Sequence, residues 1–421
     1  MYFWYKLLTY LFYPFAPIYL YFRKLRKKED SVRYREKLSK INMPRKDGFL
    51  IWFHVASVGE AMSILPLIES CIEEKKINKI LLTSITLSSS KILEKRFSQN
   101  EKVVHQFLPL DIPILTSKFL EHWKPNLSIF IDSEIWPNLI LQINKKKIPL
   151  LLVNARITKK NFVRWKLLIS FAKKIFGKFD LCIAANKESE KFLTILGAKN
   201  VKNLGNLKFS NTKNDLNIKL DSFLLNEIKN RQIWCAASTH PSEEIICAKT
   251  HLKIKKNYNN ILTIIIPRHI NRVEKIKREL SNLNLKVVFY SRLDQLDSNT
   301  DILLIDSYGE VIKFYNISKF VFLGKSLVES LIMDSGQNPI ESARLGCKIF
   351  HGPNVSNFVE IYEYLKALDV TKEINSSDEL SLSLVEEFKK DKPKNHEIAA
   401  KIENYGQHIL NNVIIELKKY I

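Results

Sequence analysis

From Phe49 onward, short apolar runs alternate with longer segments whose apolar residues recur every three or four positions. The first run, Phe49–Phe53, has the length and bounds of a buried strand. It stops at His54, and Ser57 and Gly59 make a short loop. Ala61, Ile64, Leu65 and Ile68 then carry the period of a helix packed on a sheet. Further strands are predicted at Ile80–Thr83, Val103–Leu108, Leu127–Ile131, Leu150–Val153, Leu181–Ala184 and Val201–Leu204. This alternation predicts a mainly parallel, doubly wound α/β sheet. Residues 208–231 turn polar and read as a linker. A second series follows at Ile233–Ala237, Ile261–Ile266, Lys286–Tyr290, Ile302–Ile305, Phe320–Leu323 and Lys348–Phe350, and residues 395–421 read as an amphipathic helix.

The first 28 residues depart from this pattern. Met1–Phe22 is crowded with aromatics and carries only Lys6 as a charge, and Arg23, Lys24, Arg26, Lys27 and Lys28 follow at once. The segment is long enough to span a bilayer or nearly so, and its basic flank would keep the adjoining domain in the cytoplasm. No small-residue cleavage site marks a removable signal peptide. Pro14 and Pro17 weaken a straight span, and an anchor lying in the membrane plane is the alternative. The expected organisation is therefore an anchor with its basic flank at 1–28, a domain at 29–207, a linker at 208–231, a second domain at 232–394, and a terminal helix at 395–421. Two domains suit a chain of 421 residues.

Composition narrows the partners. A formal net charge of +22 implies an anionic one: nucleic acid, an anionic membrane surface or a phosphorylated substrate. The lysines are scattered, and no RNA-recognition signature or zinc-finger spacing occurs. The 5 cysteines are far apart and mostly within apolar runs, which fits buried thiols and neither a zinc site nor a disulfide framework. G-x-G-x-x-G, the P-loop, H-E-x-x-H and G-x-S-x-G are all missing. Two α/β halves without a dinucleotide fingerprint suggest transfer from a nucleotide-linked donor.

Polar residues cluster just past the predicted strand ends, where ligands bind in open α/β sheets. Ser57-Val58-Gly59-Glu60 fits the capping-box pattern S-x-x-E, yet Glu60 also stands where a general base would serve. Asp132 and Glu134 follow another strand, and two such carboxylates can raise one another's pKa. Asp132 can equally cap the next helix, with Trp136 in the core. Asn154-Ala155-Arg156 ends the next strand. In the second half the corresponding groups are Ser238-Thr239-His240, Pro267-Arg268-His269, Tyr308-Gly309-Glu310 and Ser335 to Glu341. Helix starts with small residues offer amides to a phosphate, Arg268 offers charge, and Glu341 offers an acceptor for ribose hydroxyls. Capping by Ser335 and Asn338, and a surface ion pair for Arg268, are the structural alternatives.

Taken in order, Trp52 to Glu60, Pro109-Leu110-Asp111, Ser133 to Asn138, Val153 to Arg156, Gly205 to Phe209, Ala237 to His240, Pro267 to His269 and Gly309-Glu310 form a set. That set resembles the 3-deoxy-D-manno-octulosonic acid (Kdo) transferase family over nearly the whole chain, and the aromatic segment before Arg23 is similar to that family's N-terminus. The resemblance implies a GT-B fold: two Rossmann-like domains facing a cleft, with an N-terminal membrane-anchor helix. It places the protein at the cell inner membrane with its catalytic domains on the cytoplasmic side. It implies inverting transfer of Kdo from CMP-Kdo to the lipid A precursor (lipid IVA), without a metal, another cofactor or a nucleic-acid partner. The N-terminal half would take the acceptor and the C-terminal half CMP-Kdo.

By the same resemblance Glu60 matches the general base, and Glu134 and Lys208 match residues that stabilise the transition state. The donor site is matched by Ser238, Thr239, Pro267, Arg268, His269, Tyr308, Gly309 and Glu310. The run Ser335, Gly336, Gln337, Asn338, Pro339, Ile340 and Glu341 completes it. Departures occur in two places. Gly324-Lys325-Ser326 stands where the family usually has Gly-Gly-Ser, and Gln337 stands where it usually has histidine. The segment 329–334 between them is also unusual. Two other readings stay open: a sugar-nucleotide epimerase of the same fold, and a non-catalytic basic protein that binds a membrane surface or RNA.

Overall fold

The computed structural model describes residues 1–40, 43–210, 220–328, 335–390 and 394–421. Residues 211–219 of the expected linker and the 329–334 segment lie outside the described residues. The chain divides into two units, Met1–Thr212 together with Tyr405–Ile421, and Lys213–Asn404.

The first unit contains β1 (Leu50–Val55), β2 (Lys79–Ser84), β3 (Val103–Phe107), β4 (Leu127–Ile131), β5 (Leu150–Ala155), β6 (Leu181–Ala184) and β7 (Val201–Asn203). They form one sheet in the order β3-β2-β1-β4-β5-β6-β7, and every neighbouring pair is parallel. Such strands are covered on both faces, which is why they read as continuous apolar runs. Trp52, Phe130 and Leu152 meet Phe119, Trp123 and Phe176 of the covering helices in a dry core. Strand order reverses between β1 and β4, so the loops after Val55 and Ile131 open at the switch point of the sheet. The terminal helix Glu397–Lys418 delivers Tyr405 onto Phe209, ring centroids 5.0 Å apart, and Glu416 onto Lys202 at 2.8 Å.

The second unit contains β8 (Gln232–Thr239), β9 (Ile261–Pro267), β10 (Val287–Phe289), β11 (Ile302–Leu304), β12 (Phe320–Leu323), β13 (Lys348–His351) and β14 (Thr371–Glu373). These too are all parallel, in the order β10-β11-β9-β8-β12-β13-β14, with the switch point between β8 and β12. The pattern of apolar runs misses β14. Its Thr371-Lys372-Glu373 lies at the edge, with two of three side chains exposed, so it has no apolar run to show. A helix, Ser222–Ile228, occupies part of the stretch that composition reads as linker.

At the N-terminus, helices Tyr2–Phe12 and Ala16–Leu25 are joined by a 3-10 turn, Tyr13–Phe15. Among the described residues no helix is long and apolar enough to cross a membrane. The single membrane-anchor helix expected within residues 1–28 is therefore corrected to two short helices. Pro14 and Pro17 interrupt regular helix, and part of the segment is tied to the first unit. Ala16 and Leu20 are fully buried, Tyr5 donates its hydroxyl to Asp111 at 2.8 Å, and Asn138 donates to the Thr9 hydroxyl at 3.1 Å. Phe3, Trp4, Leu8, Leu11, Phe15, Ile18 and Phe22 remain exposed.

Asp111 is the anchor of this attachment. It is buried and also accepts the Asn138 and Leu139 backbone N–H groups, at 3.0 and 2.9 Å, at the start of helix Pro137–Lys145. Asp111→Ala strands those donors and should cost about 3 kcal/mol of stability, read as a lower denaturation midpoint.

Candidate active site

The site in the first unit begins with the turn after β1. Ser57 caps helix Val58–Glu73 by accepting the Glu60 N–H at 3.2 Å. The Glu60 carboxylate reaches back and accepts from the Ala56 N–H at 2.7 Å and the Ser57 hydroxyl at 2.8 Å. The capping box is thus formed, with its return bond one residue earlier than usual. Glu60 is nevertheless no ordinary cap. Burial, together with Asp132 and Glu134, pushes its carboxyl from 4.5 up to about 7 against those hydrogen bonds.

The turn after β4 supplies the neighbouring acids. Asp132 takes a left-handed backbone, φ 60°, which sharply redirects the chain at the strand end. Burial raises the Asp132 carboxyl above its ordinary value, with Glu134 adding to the shift and Lys208 and Arg156 opposing it. Glu134 is held by a relay that starts in the core. The Trp52 indole donates to the Thr83 hydroxyl at 2.8 Å, and Thr83 lies 2.9 Å from Nδ1 of His54. Nε2 of the same ring lies 3.3 Å from the Glu134 carboxylate. The Trp136 indole donates to the same Glu134 oxygen at 3.0 Å.

Lys208 arrives by a third route. Asn154, at the end of β5 and also left-handed (φ 54°), accepts the Leu207 N–H at 2.9 Å. Asn206 accepts the Lys208 N–H at 3.0 Å, closing the turn that brings this lysine into the field of Asp132. The structure therefore assembles Glu60, Glu134 and Lys208 in one unit, linked through Asp132. In the sequence His54 marks where the first predicted strand stops and Thr83 ends the second, and their part as supports of Glu134 needs the sheet register to be seen. His54 pairs with Phe130 across β1 and β4 and with Thr83 across β1 and β2.

The second unit repeats the arrangement at the ends of β8, β9, β11 and β12. Ser238 is left-handed, φ 55°, and its carbonyl lies 3.1 Å from Nδ1 of His240. The Thr239 carbonyl accepts the Arg268 N–H at 3.0 Å, and the His240 and His269 rings meet edge-on, centroids 5.9 Å apart. Pro267 ends β9 opposite Thr239, while Arg268 and His269 are exposed. Tyr308 is 68% exposed, and Gly309 turns the chain with φ 88°. Glu310 pairs with Lys313 at 2.7 Å on helix Val311–Ile317, which packs against helix Ile340–Arg344 bearing Glu341.

In the last group Ser335 is buried against Ser356, hydroxyls 3.0 Å apart, and the Gly336 N–H reaches the Lys325 carbonyl at 2.6 Å. The Gln337 carbonyl accepts the Tyr362 hydroxyl at 3.1 Å, and Asn338 accepts the Ile340 N–H at 3.2 Å. Pro339 and Ile340 are buried, whereas Gln337, Asn338 and Glu341 are half-buried.

Two carboxylates here escape the sequence reading. Glu243 is fully buried and accepts four backbone amides: His240 at 2.9, Lys325 at 2.8, Ser326 at 3.0 and Leu327 at 3.1 Å. Gly324 fits beside it only because a Cβ there would lie 2.7 Å from the Glu243 carboxylate and the Ser238 carbonyl. Glu244 accepts the Thr239 hydroxyl at 3.1 Å and both Arg272 nitrogens at 3.0 and 3.1 Å. The available signal is the repeat of the β1 pattern, an acid in the first turn of the helix that follows a strand.

Two parallel sheets, each with polar loops at its switch point, give a two-unit α/β protein with a GT-B type of fold. The sequence model of the 3-deoxy-D-manno-octulosonic-acid transferase (kdotransferase) family matches residues 32–211. The 3-deoxy-D-manno-octulosonic acid transferase of Rickettsia bellii is 35% identical over 89% of this chain and 88% of its own length. That of Haemophilus influenzae is 31% identical, covering 82% of each chain. The UDP-GlcNAc 2-epimerase of Neisseria meningitidis shares the fold, with a TM-score of 0.57 at 16% identity over 87% of this chain and 99% of its own. The chain belongs to the Kdo transferase family, and its activity is that of a glycosyltransferase acting with Kdo.

The state of Glu60 is open to a direct test. Its native pKa lies above its ordinary value, so the folded protein binds the extra proton between about pH 4.5 and 7. Stability should fall as pH rises through that window. Glu60→Gln should flatten this slope in denaturation curves measured across the range.

Proposed function

We propose that the protein transfers Kdo from CMP-Kdo to the lipid A precursor, with inversion at the anomeric carbon and no metal. The observation that carries this reading is a carboxylate poised near neutrality, Glu60, grouped with Glu134 and Lys208. A base is most effective when its pKa lies near the working pH. Glu60 takes the proton of an acceptor hydroxyl, and that oxygen attacks the anomeric carbon from the face opposite the phosphate. The bond from carbon to phosphate oxygen breaks, and its electron pair leaves with CMP. Lys208 and Glu134, each held by the contacts described above, stabilise the charges that develop. On the donor side, Arg268 and the strand-end residues Ser238, Thr239 and His269 meet the phosphate. Tyr308, Gly309, Glu310 and the segment Ser335 to Glu341 hold the nucleoside.

The test is incubation with CMP-Kdo and a tetraacylated lipid A precursor, followed by product mass spectrometry. Glu60→Gln should lower kcat by roughly 10²- to 10⁴-fold. The unaltered rate should rise with pH to a plateau above about 7. Normal turnover by Glu60→Gln would remove the base. Interconversion of a UDP-sugar without transfer would favour the epimerase reading. A calorimetric titration without CMP affinity, in a folded protein, would favour a non-catalytic binding protein.

The same proposal places the protein on the cytoplasmic face of the inner membrane. The exposed side chains of helices Tyr2–Phe12 and Ala16–Leu25 enter the headgroup layer there, and Arg23 to Lys28 meet anionic lipid. Trp4 and Leu8 are 61% and 64% exposed, so charging them should spare the fold. Trp4→Glu with Leu8→Glu should weaken sedimentation with anionic vesicles about tenfold or more at unchanged Tm.

A further inference from the structure

Lys325 occupies an unusual place. It directly follows β12, beside the end of β8, at the switch point of the second sheet. Its backbone is left-handed, φ 58°, where a side chain is disfavoured and glycine or asparagine is the usual choice. Other left-handed lysines among the described residues, Lys27, Lys124 and Lys147, sit at or just beyond the ends of helices. There a cation gains from the negative end of the helix dipole. Lys325 follows a strand instead.

Hydrogen bonds hold the described residues around it. The Lys325 N–H is donated to buried Glu243 at 2.8 Å, and its carbonyl accepts the Gly336 N–H at 2.6 Å. Ser326 donates its hydroxyl to the Leu323 carbonyl at 2.6 Å and accepts the Gly352 N–H at 2.9 Å. Lys325 is thus fastened between the Ser238-Thr239-His240 turn and the Ser335-Gly336-Gln337 segment. Its charge reaches His240: burial first, and then Lys325 and His269, hold that ring below its ordinary pKa. A strained residue held this firmly at a ligand-binding strand end points to a function for its side chain.

We infer that Lys325 is a donor-binding residue whose ammonium pairs with an anionic oxygen of the nucleotide sugar, the phosphodiester or the sugar carboxylate. This rests on the reading of the second unit as the donor site. Glu243 is the positioning residue. By filling the amide cradle itself, it fixes the loop and leaves the anion to be met by a side chain.

The experiment compares Lys325→Gln and Lys325→Gly in the full chain. A charge-assisted contact predicts a rise in KM for CMP-Kdo of about tenfold or more in both variants. Lys325→Gly should be as stable as the parent or more so, because it relieves the left-handed backbone. Titrations with CMP and cytidine separate the two anions. If the contact is to phosphate, the advantage of CMP over cytidine shrinks in Lys325→Gln. If it is to the sugar carboxylate, only the KM for CMP-Kdo moves. Unchanged KM and unchanged CMP affinity in both variants would overturn the assignment alone, as would a loss that tracks a lowered Tm in Lys325→Gly. Absence of Kdo transfer by the unaltered chain would overturn the function on which it rests.

Discussion

Where a strand gives way to a loop or helix start, backbone amides are left that no strand satisfies, and this chain meets several with carboxylates, of which Asp111 and Glu243 are buried. Glu60 takes the Ala56 N–H, Asp111 takes Asn138 and Leu139, and Glu243 takes four amides from two loops. Each carboxylate is expensive to bury and is held by several donors, so each fixes the path of the chain where strands stop. The turns they fix carry candidate site residues. Asp111 sets the helix that follows Glu134 and Trp136, and Glu243 sets the loop that carries Lys325.

Left-handed residues complete the same construction. Asp132, Asn154, Ser238 and Lys325 follow or end β4, β5, β8 and β12, and all have positive φ without being glycine. The conformation turns the chain abruptly off the sheet while leaving a polar side chain at the bend. A chain with only 11 glycines accepts this strain at strand ends, where hydrogen bonds to neighbouring loops hold it.

The legible part of the sequence follows from burial. Strands covered on both faces must be apolar throughout, so thirteen of the fourteen strands are visible as runs, and β14 at the edge is not. The polar groups just past those runs mark the candidate site, because in such sheets that is where side chains meet ligand. The linear pattern does not carry which loops meet. Glu243 and Ser326 are 83 positions apart, yet one carboxylate joins them. The N-terminal segment is misleading for a related reason. Its composition resembles a span, but Tyr5, Thr9, Ala16 and Leu20 commit part of it to protein.

Capping and catalysis place opposite demands on Glu60, and Asp30 shows what capping alone does. Asp30 accepts the Val32 and Arg33 N–H groups at 2.9 and 2.8 Å, and the Arg33 bond chiefly holds its carboxyl below the ordinary value. Glu60 accepts bonds of the same kind and is nevertheless pushed up to about 7. Hydrogen bonding therefore cannot account for its state; burial beside Asp132 and Glu134 does. A cap needs neither of those neighbours. The box orients the carboxylate, and burial together with the acids around it raises its proton affinity into the range where a base works near neutral pH.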